Sequence, residues 1–193
     1  MKKLSVFFYS FSKLWTALLL TGLMIAYASL IMGSRSDCFL SELNEDQTVL
    51  GLKFGYSYED ANSFLNSLSE EAVICYKNLL RVWDSVFPIV YGLMYISCLS
   101  LLYKKLGKNG KPLLLINLFP LIPMLADWAE NSSELFMISN YTATNEISES
   151  AVFLSSLITQ IKWSLSSLNY IIILTGITLL IKKKLTDKTK NNG

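Results

Sequence analysis

The chain has 193 residues, 52% of them hydrophobic, with a net charge of only +2 and no histidine. Imidazole is the commonest general base and a leading transition-metal ligand, so its absence effectively excludes Ser-His and Cys-His catalysis and zinc chemistry. What remains is an apolar chain long enough for one all-α membrane domain, 1–193, with no metal site and no cofactor expected.

Four apolar stretches dominate, at residues 14–32, 86–103, 112–128 and 163–181. Each is close to the ~20 residues that a ~30 Å hydrocarbon layer requires. The expected architecture is therefore a polytopic four-transmembrane-helix bundle. Trp15, Trp83, Trp128 and Trp163 each stand near one end of a stretch, where interfacial indoles belong.

Charge orients the bundle. Lys2, Lys3 and Lys13 precede the first stretch, Lys104, Lys105, Lys108 and Lys111 fill the link 104–111, and Lys182, Lys183, Lys184, Lys188 and Lys190 follow the fourth. Glu42, Glu45, Asp46, Glu59, Asp60, Glu70, Glu71, Glu146 and Glu149 fall in segments 33–85 and 129–162. The positive-inside rule puts 1–13, 104–111 and 182–193 in the cytoplasm and the two acidic segments outside, with membrane lipids as the first partner. Nothing in the pattern calls for nucleic acid. A cleaved signal peptide is the alternative for the N-terminus, because Lys2 and Lys3 precede an apolar run and Ala26-Tyr27-Ala28 resembles a cleavage site. The apolar run continues through Met32 without a polar stretch, which favours a retained span.

The first outer loop is expected to be helical. Ser57 is placed to cap a short amphipathic helix at 58–68 with Asp60 three residues on, and Ser69 offers a second cap before Glu70 and Glu71. From there, residues 72–103 hold no glycine or proline before Pro88, so the second span should begin as an extramembrane helix. Phe54-Gly55-Tyr56 reads as a turn, with its aromatics resting on the membrane interface or simply as an ordinary glycine turn. Cys38 and Cys75 either pair or stay free, which spacing leaves open. Pro112 suits a helix start, whereas Pro88, Pro120 and Pro123 are each expected to remove a backbone hydrogen bond and bend a span.

Ionisable residues near the outer edge form the candidate site. Asp84, Pro88, Tyr91 and Tyr95 lie at helical spacing on one face of the second span. Asp127, Glu130, Asn131 and Glu134 form a similar stripe on the third, with Trp128 beside it. The short link makes these helices antiparallel neighbours, which brings Asp84 toward Asp127 at the outer rim. Carboxylates withdrawn from water bind a cation, hold a proton or form a salt bridge, and Arg81 and Lys162 are the nearest countercharges. Ser166, Ser167 and Asn169 on the fourth span either complete a polar pocket or hydrogen-bond between helices.

The stretches Phe54-Gly-Tyr-Ser-Tyr-Glu-Asp-Ala, Tyr76, Asp84-Ser-Val-Phe-Pro-Ile-Val-Tyr91 and Asp127-Trp-Ala-Glu-Asn131 resemble a family of small bacterial four-helix membrane proteins with no assigned activity. The likeness spans about residues 50 to 138 and rests on an aromatic-Gly-Tyr segment, an Asp-x-x-aromatic-Pro entry and an Asp-x-x-Glu-Asn motif. Leu68-Ser-Glu-Glu-Ala-Val-Ile-Cys-Tyr76 departs from the Gly-Arg that the family carries before the tyrosine. The resemblance implies a bacterial cytoplasmic membrane and one site holding Asp84, Asp127, Glu130 and Asn131. In architecture alone the chain is also similar to the sterol-isomerase and sigma-2-receptor-like four-helix superfamily, although the missing histidine argues against a close sterol-isomerase relative.

Three functions compete. An outward-facing acidic pocket of Asp84, Asp127 and Glu130, walled by Tyr91, Tyr95 and Trp128 with Asn131 beside them, would bind a cationic or amphiphilic small molecule or a membrane protein partner. A membrane-lipid-modifying, isomerase-like enzyme would use one protonated and one ionised carboxylate. A proton- or cation-coupled transport subunit would need to oligomerise.

Overall fold

The computed structural model describes residues 1–107 and 115–191, with side chains to Thr189. Lys108, Lys111 and Pro112, which open the expected third span, lie outside the described residues, as does the side chain of Lys190. The described residues are helical, with no strand among them. In chain order the helices are α1 (Lys2–Phe11), α2 (Leu14–Leu40), α3 (Tyr58–Ser67), α4 (Glu70–Leu106), α5 (Leu121–Thr144) and α6 (Glu149–Asn191). Short 3-10 turns lie at Leu50–Leu52 and Ile116–Leu118.

Among the described residues three helices are long and apolar enough to cross a membrane: α2, α4, and α6 over Glu149–Thr189. At ~1.5 Å per residue, the 27 residues of α2 exceed a ~30 Å core. Only 6% of the apolar window of α2 and 11% of that of α6 is buried within the protein, so those surfaces need a hydrocarbon solvent. α5 is not among the three, because Asp127, Glu130 and Glu134 are spaced through its middle.

Several boundaries differ from the sequence reading. The first apolar stretch, 14–32, lies in a helix that continues to Leu40, and the fourth belongs to a helix of 43 residues. Segment 129–162 is largely helical. It is the end of α5 and the start of α6, joined at Ser148 and the three residues before it, with Asn145 in the left-handed region at φ 57°. Pro120 precedes α5 and Pro123 sits in its first turn, where the amide has no intrahelical acceptor to lose, so neither interrupts the helix. Pro88 lies in the interior of α4.

The chain divides into two compact units, with α2, α4, α5 and α6 contributing residues to both. The division separates charge. Residues 1–24, 90–122 and 165–193 hold twelve lysines and one acid, Asp187, a net of +11. Residues 25–89 and 123–164 hold five cations and fourteen acids, a net of −9.

The acidic unit has the larger core. Tyr76 is fully buried, its ring 4.8 Å from Phe39 and 5.3 Å from Phe64, with Leu50, Leu65, Met137 and Ile138 around them. Burying such aromatic and aliphatic side chains contributes ~1.5–3 kcal/mol each. α3 starts as its sequence predicts: Ser57 Oγ accepts from the Asp60 amide, and the Asp60 carboxylate accepts from the Ser57 amide. Lys53 at 2.5 Å and these bonds hold the Asp60 carboxyl below its ordinary range. Ser69 caps α4 by accepting from the Ala72 amide. Gly55 has φ +98° and no room for a side chain against Gln160, so the turn requires glycine. Phe54 is exposed, but Tyr56 is buried and does not rest on an interface. A disulfide joins Cys38 of α2 to Cys75 of α4 across 37 residues, and Cys98 is free.

The basic unit has a small core of Tyr9, Leu99 and Tyr103, with Leu102, Ile116 and Ile172 packed on it. The Tyr103 hydroxyl donates to the Ile172 carbonyl at 2.9 Å.

Candidate functional site

The site lies within the acidic unit and is organised by α5. Asp127, Glu130, Asn131 and Glu134, at offsets of three, four and seven from the first, are exposed by only 7%, 2%, 3% and 1%. An α-helix stacks such positions on one face. Here that face is the one α5 buries.

Each polar residue of the stripe has a partner on another segment. Lys162 of α6 reaches Glu130 Oε2 at 2.5 Å and Asp127 Oδ1 at 3.8 Å. Its Nζ also donates to the Gly51 carbonyl at 2.9 Å, and the Trp163 indole N–H donates to the same carbonyl at 3.1 Å. The Tyr76 hydroxyl donates to Glu134 Oε2 at 2.5 Å. The Asp84 carboxyl is in electrostatic contact with Asp127, Lys162 and Glu130. Four carboxyl groups thus share one lysine.

A buried ion pair is tolerated when its remaining lone pairs are hydrogen-bonded. Here they are not. Glu130 Oε1 and Glu134 Oε1 are buried without a hydrogen-bond partner. The Thr159 hydroxyl stands beside Glu130 and is also within 3.1 Å of the Ser155 carbonyl, to which it donates. Both oxygens converge on Gly51. A Cβ there would lie 3.4 Å from Glu134 Oε1 and 3.6 Å from both oxygens of Glu130. Glycine at this position leaves a notch between two carboxyls. Burial, and next the charge of Glu130, push the Glu134 carboxyl up to about 8, against the pull of the Tyr76 hydrogen bond.

The same α5 face repairs a defect in α4. Pro88 has no amide, so the Asp84 carbonyl four residues earlier lacks its helical donor. Asn131 Nδ2 donates to that carbonyl at 3.1 Å, and the Trp128 indole N–H donates to the Ser85 carbonyl at 2.8 Å. The Tyr27 hydroxyl donates to the Trp83 carbonyl at 2.8 Å. An open groove of about 400 Å³ adjoins this turn, lined by Arg81, Ser85, Trp128, Asn131, Ser132 and Leu135.

Of the expected site residues, Asp84, Asp127, Trp128, Glu130 and Asn131 come together in the acidic unit. Tyr91 and Tyr95 belong to the basic unit, where their rings lie 6.0 Å apart and Tyr95 meets Tyr170 at 5.9 Å. Asn169 is buried in that unit as well. Of the two candidate countercharges, Lys162 enters the cluster and Arg81 stands exposed at the groove. Gly51 was not singled out from the sequence, and Tyr76 only as part of a resemblance. A lone glycine between two leucines carries no signal until the chain is folded. Among the described residues no three His, Cys, Asp or Glu side chains are grouped to hold a metal ion.

No family model, curated protein or solved structure matches this chain.

Proposed function

We propose that this chain is a four-span protein of a bacterial cytoplasmic membrane, with both termini and the lysine-rich segments inside. In this reading, the first turns of α5 belong to the remaining span, with α2, α4 and α6 as the others. The acidic cluster then takes up a cationic group, the ammonium head of a small or amphiphilic amine, in the notch at Gly51. The observation that carries this reading is the pair of buried, partnerless carboxylate oxygens, Glu130 Oε1 and Glu134 Oε1, that flank Gly51. An ammonium there supplies the donors that the fold withholds, in a setting where charge-assisted hydrogen bonds are strong.

A proton-coupled transport subunit is the second reading. It is favoured by Glu134, whose carboxyl exchanges its proton near pH 8. Both readings place the chemistry on the same carboxyls, and one experiment separates them. Thermal unfolding of the detergent-purified chain is followed with a series of alkylammonium ions. Amine binding raises the unfolding temperature, and the rise grows with the logarithm of amine concentration above the dissociation constant. Absence of any amine response, with a pH response that Glu134→Gln removes, supports the proton reading instead.

A further inference from the structure

α1 is fixed to the basic unit by one face and leaves the other bare. Ser5 and Tyr9 are exposed by only 0% and 4%. Asn117 holds that side: its Oδ1 accepts from the Ser5 hydroxyl at 2.7 Å, and its Nδ2 donates to the Ser5 carbonyl at 3.1 Å and the Ser100 hydroxyl at 2.9 Å. Lys104 Nζ donates to the Tyr9 carbonyl at 3.1 Å. Helical spacing puts Lys3, Leu4, Phe7 and Phe11 on the opposite face. Leu4, Phe7 and Phe11 are exposed by 41%, 55% and 50%, and the Phe7 and Phe11 rings stack with centroids 5.8 Å apart. Ser12 then turns extended, with ψ 113°, before α2 begins at Leu14. α1 is therefore a separate helix and not the first turns of the span.

An apolar face alone does not choose its cover. Charge does. Lys2 and Lys3 open α1, Lys13 follows it, and Lys104 caps it. Lys183 Nζ donates to the Lys105 carbonyl at 2.8 Å, which brings the lysines of α6 to the same end of α4. A helix that presents phenylalanine and leucine next to a lysine cluster binds in the plane of an anionic membrane surface.

We infer that α1 is an interfacial anchor: Phe7 and Phe11 insert at the headgroup boundary of the leaflet on the lysine side, and Lys2, Lys3, Lys13 and Lys104 select anionic phospholipid there. A second copy of the chain or another protein over the same face is the competing occupant. Each lysine near an anionic surface favours binding by about fivefold.

The test places an environment-sensitive fluorophore on Phe7→Cys in a Cys98→Ser background of the full chain. The protein is reconstituted in phosphatidylcholine vesicles or in phosphatidylcholine mixed with phosphatidylglycerol, with brominated chains on one lipid at a time. The expected result is quenching in both vesicles, several-fold stronger per lipid when the bromine is on phosphatidylglycerol. Lys2→Gln with Lys3→Gln should remove most of that preference, and Lys2→Arg with Lys3→Arg should keep it, which separates lost charge from a lost helix. Equal quenching by the two lipids overturns the selectivity. Absence of quenching by either means that protein or water covers the face, and overturns the anchor.

Discussion

Asn131 Nδ2 donates at 3.1 Å to the Asp84 carbonyl, the acceptor that Pro88 deprives of its helical amide. A side chain of α5 thus completes the backbone of α4. The relationship predicts coupling. Asn131→Ala leaves a buried carbonyl without a donor and should cost about 1–3 kcal/mol. Pro88→Ala restores an amide at that turn, so Asn131→Ala should cost less in that background. Unfolding of the two single variants and the double variant in one detergent gives the coupling, expected at about 0.5–3 kcal/mol and vanishing if the contact is incidental.

Glu134 predicts a pH dependence with a definite sign. Its folded-state carboxyl is pushed from 4.5 to about 8, chiefly by burial, so the folded protein holds a proton that the unfolded chain releases. Stability from this group is fully present below 4.5 and is lost as pH rises through 8. The unfolding temperature should therefore fall between pH 5 and pH 8, within the window set by those two values. Glu134→Gln should flatten the fall while the Tyr76 contact is retained as a neutral hydrogen bond. An unchanged slope in that variant would show that other groups dominate.

Lys162 is the one cation among the described residues in the carboxyl cluster, paired at 2.5 Å with Glu130. Lys162→Met should destabilise by roughly 3–5 kcal/mol, because it strands a buried carboxylate. Lys162→Met with Glu130→Gln should recover much of that loss. Chemical unfolding of the parent and the two variants decides, and equal losses in the single and double variants would argue against a working ion pair.

The disulfide between Cys38 and Cys75 closes a separation of 37 residues within the acidic unit. Its removal by paired serine substitution should cost roughly 2–4 kcal/mol. Peptide mapping with and without reductant checks that the bond forms, and unfolding of the serine variant checks its weight.

Much of the fold was legible because it rests on periodicity and local chemistry. Ser57 with Asp60 and Ser69 with Ala72 needed only a few residues of sequence to specify their caps, and both formed. The stripe Asp127, Glu130, Asn131 and Glu134 was readable because one helix turn fixes its spacing. What escaped depends on contacts between distant segments. Tyr76 meets Glu134 across 58 residues, and Lys162 reaches Gly51 across 111. The acids of segment 129–162 pointed to the outer side, but that Glu130 and Glu134 turn inward toward a core is set by the segments packed on them. Tyr91 and Tyr95 shared a helical face with Asp84, but α4 is long enough to carry them into the other unit.

The most direct test of the site uses Gly51→Ala. The new methyl would sit at ordinary contact distance, 3.4 Å from Glu134 Oε1 and 3.6 Å from Glu130 Oε1, so the fold should survive while the notch is filled. The measurement is the alkylammonium-induced rise in unfolding temperature, compared between the parent and Gly51→Ala at equal pH. The account predicts a rise in the parent that Gly51→Ala abolishes without lowering the amine-free unfolding temperature by more than a few degrees. An equal rise in both proteins would place the amine elsewhere and contradict the assignment of this notch.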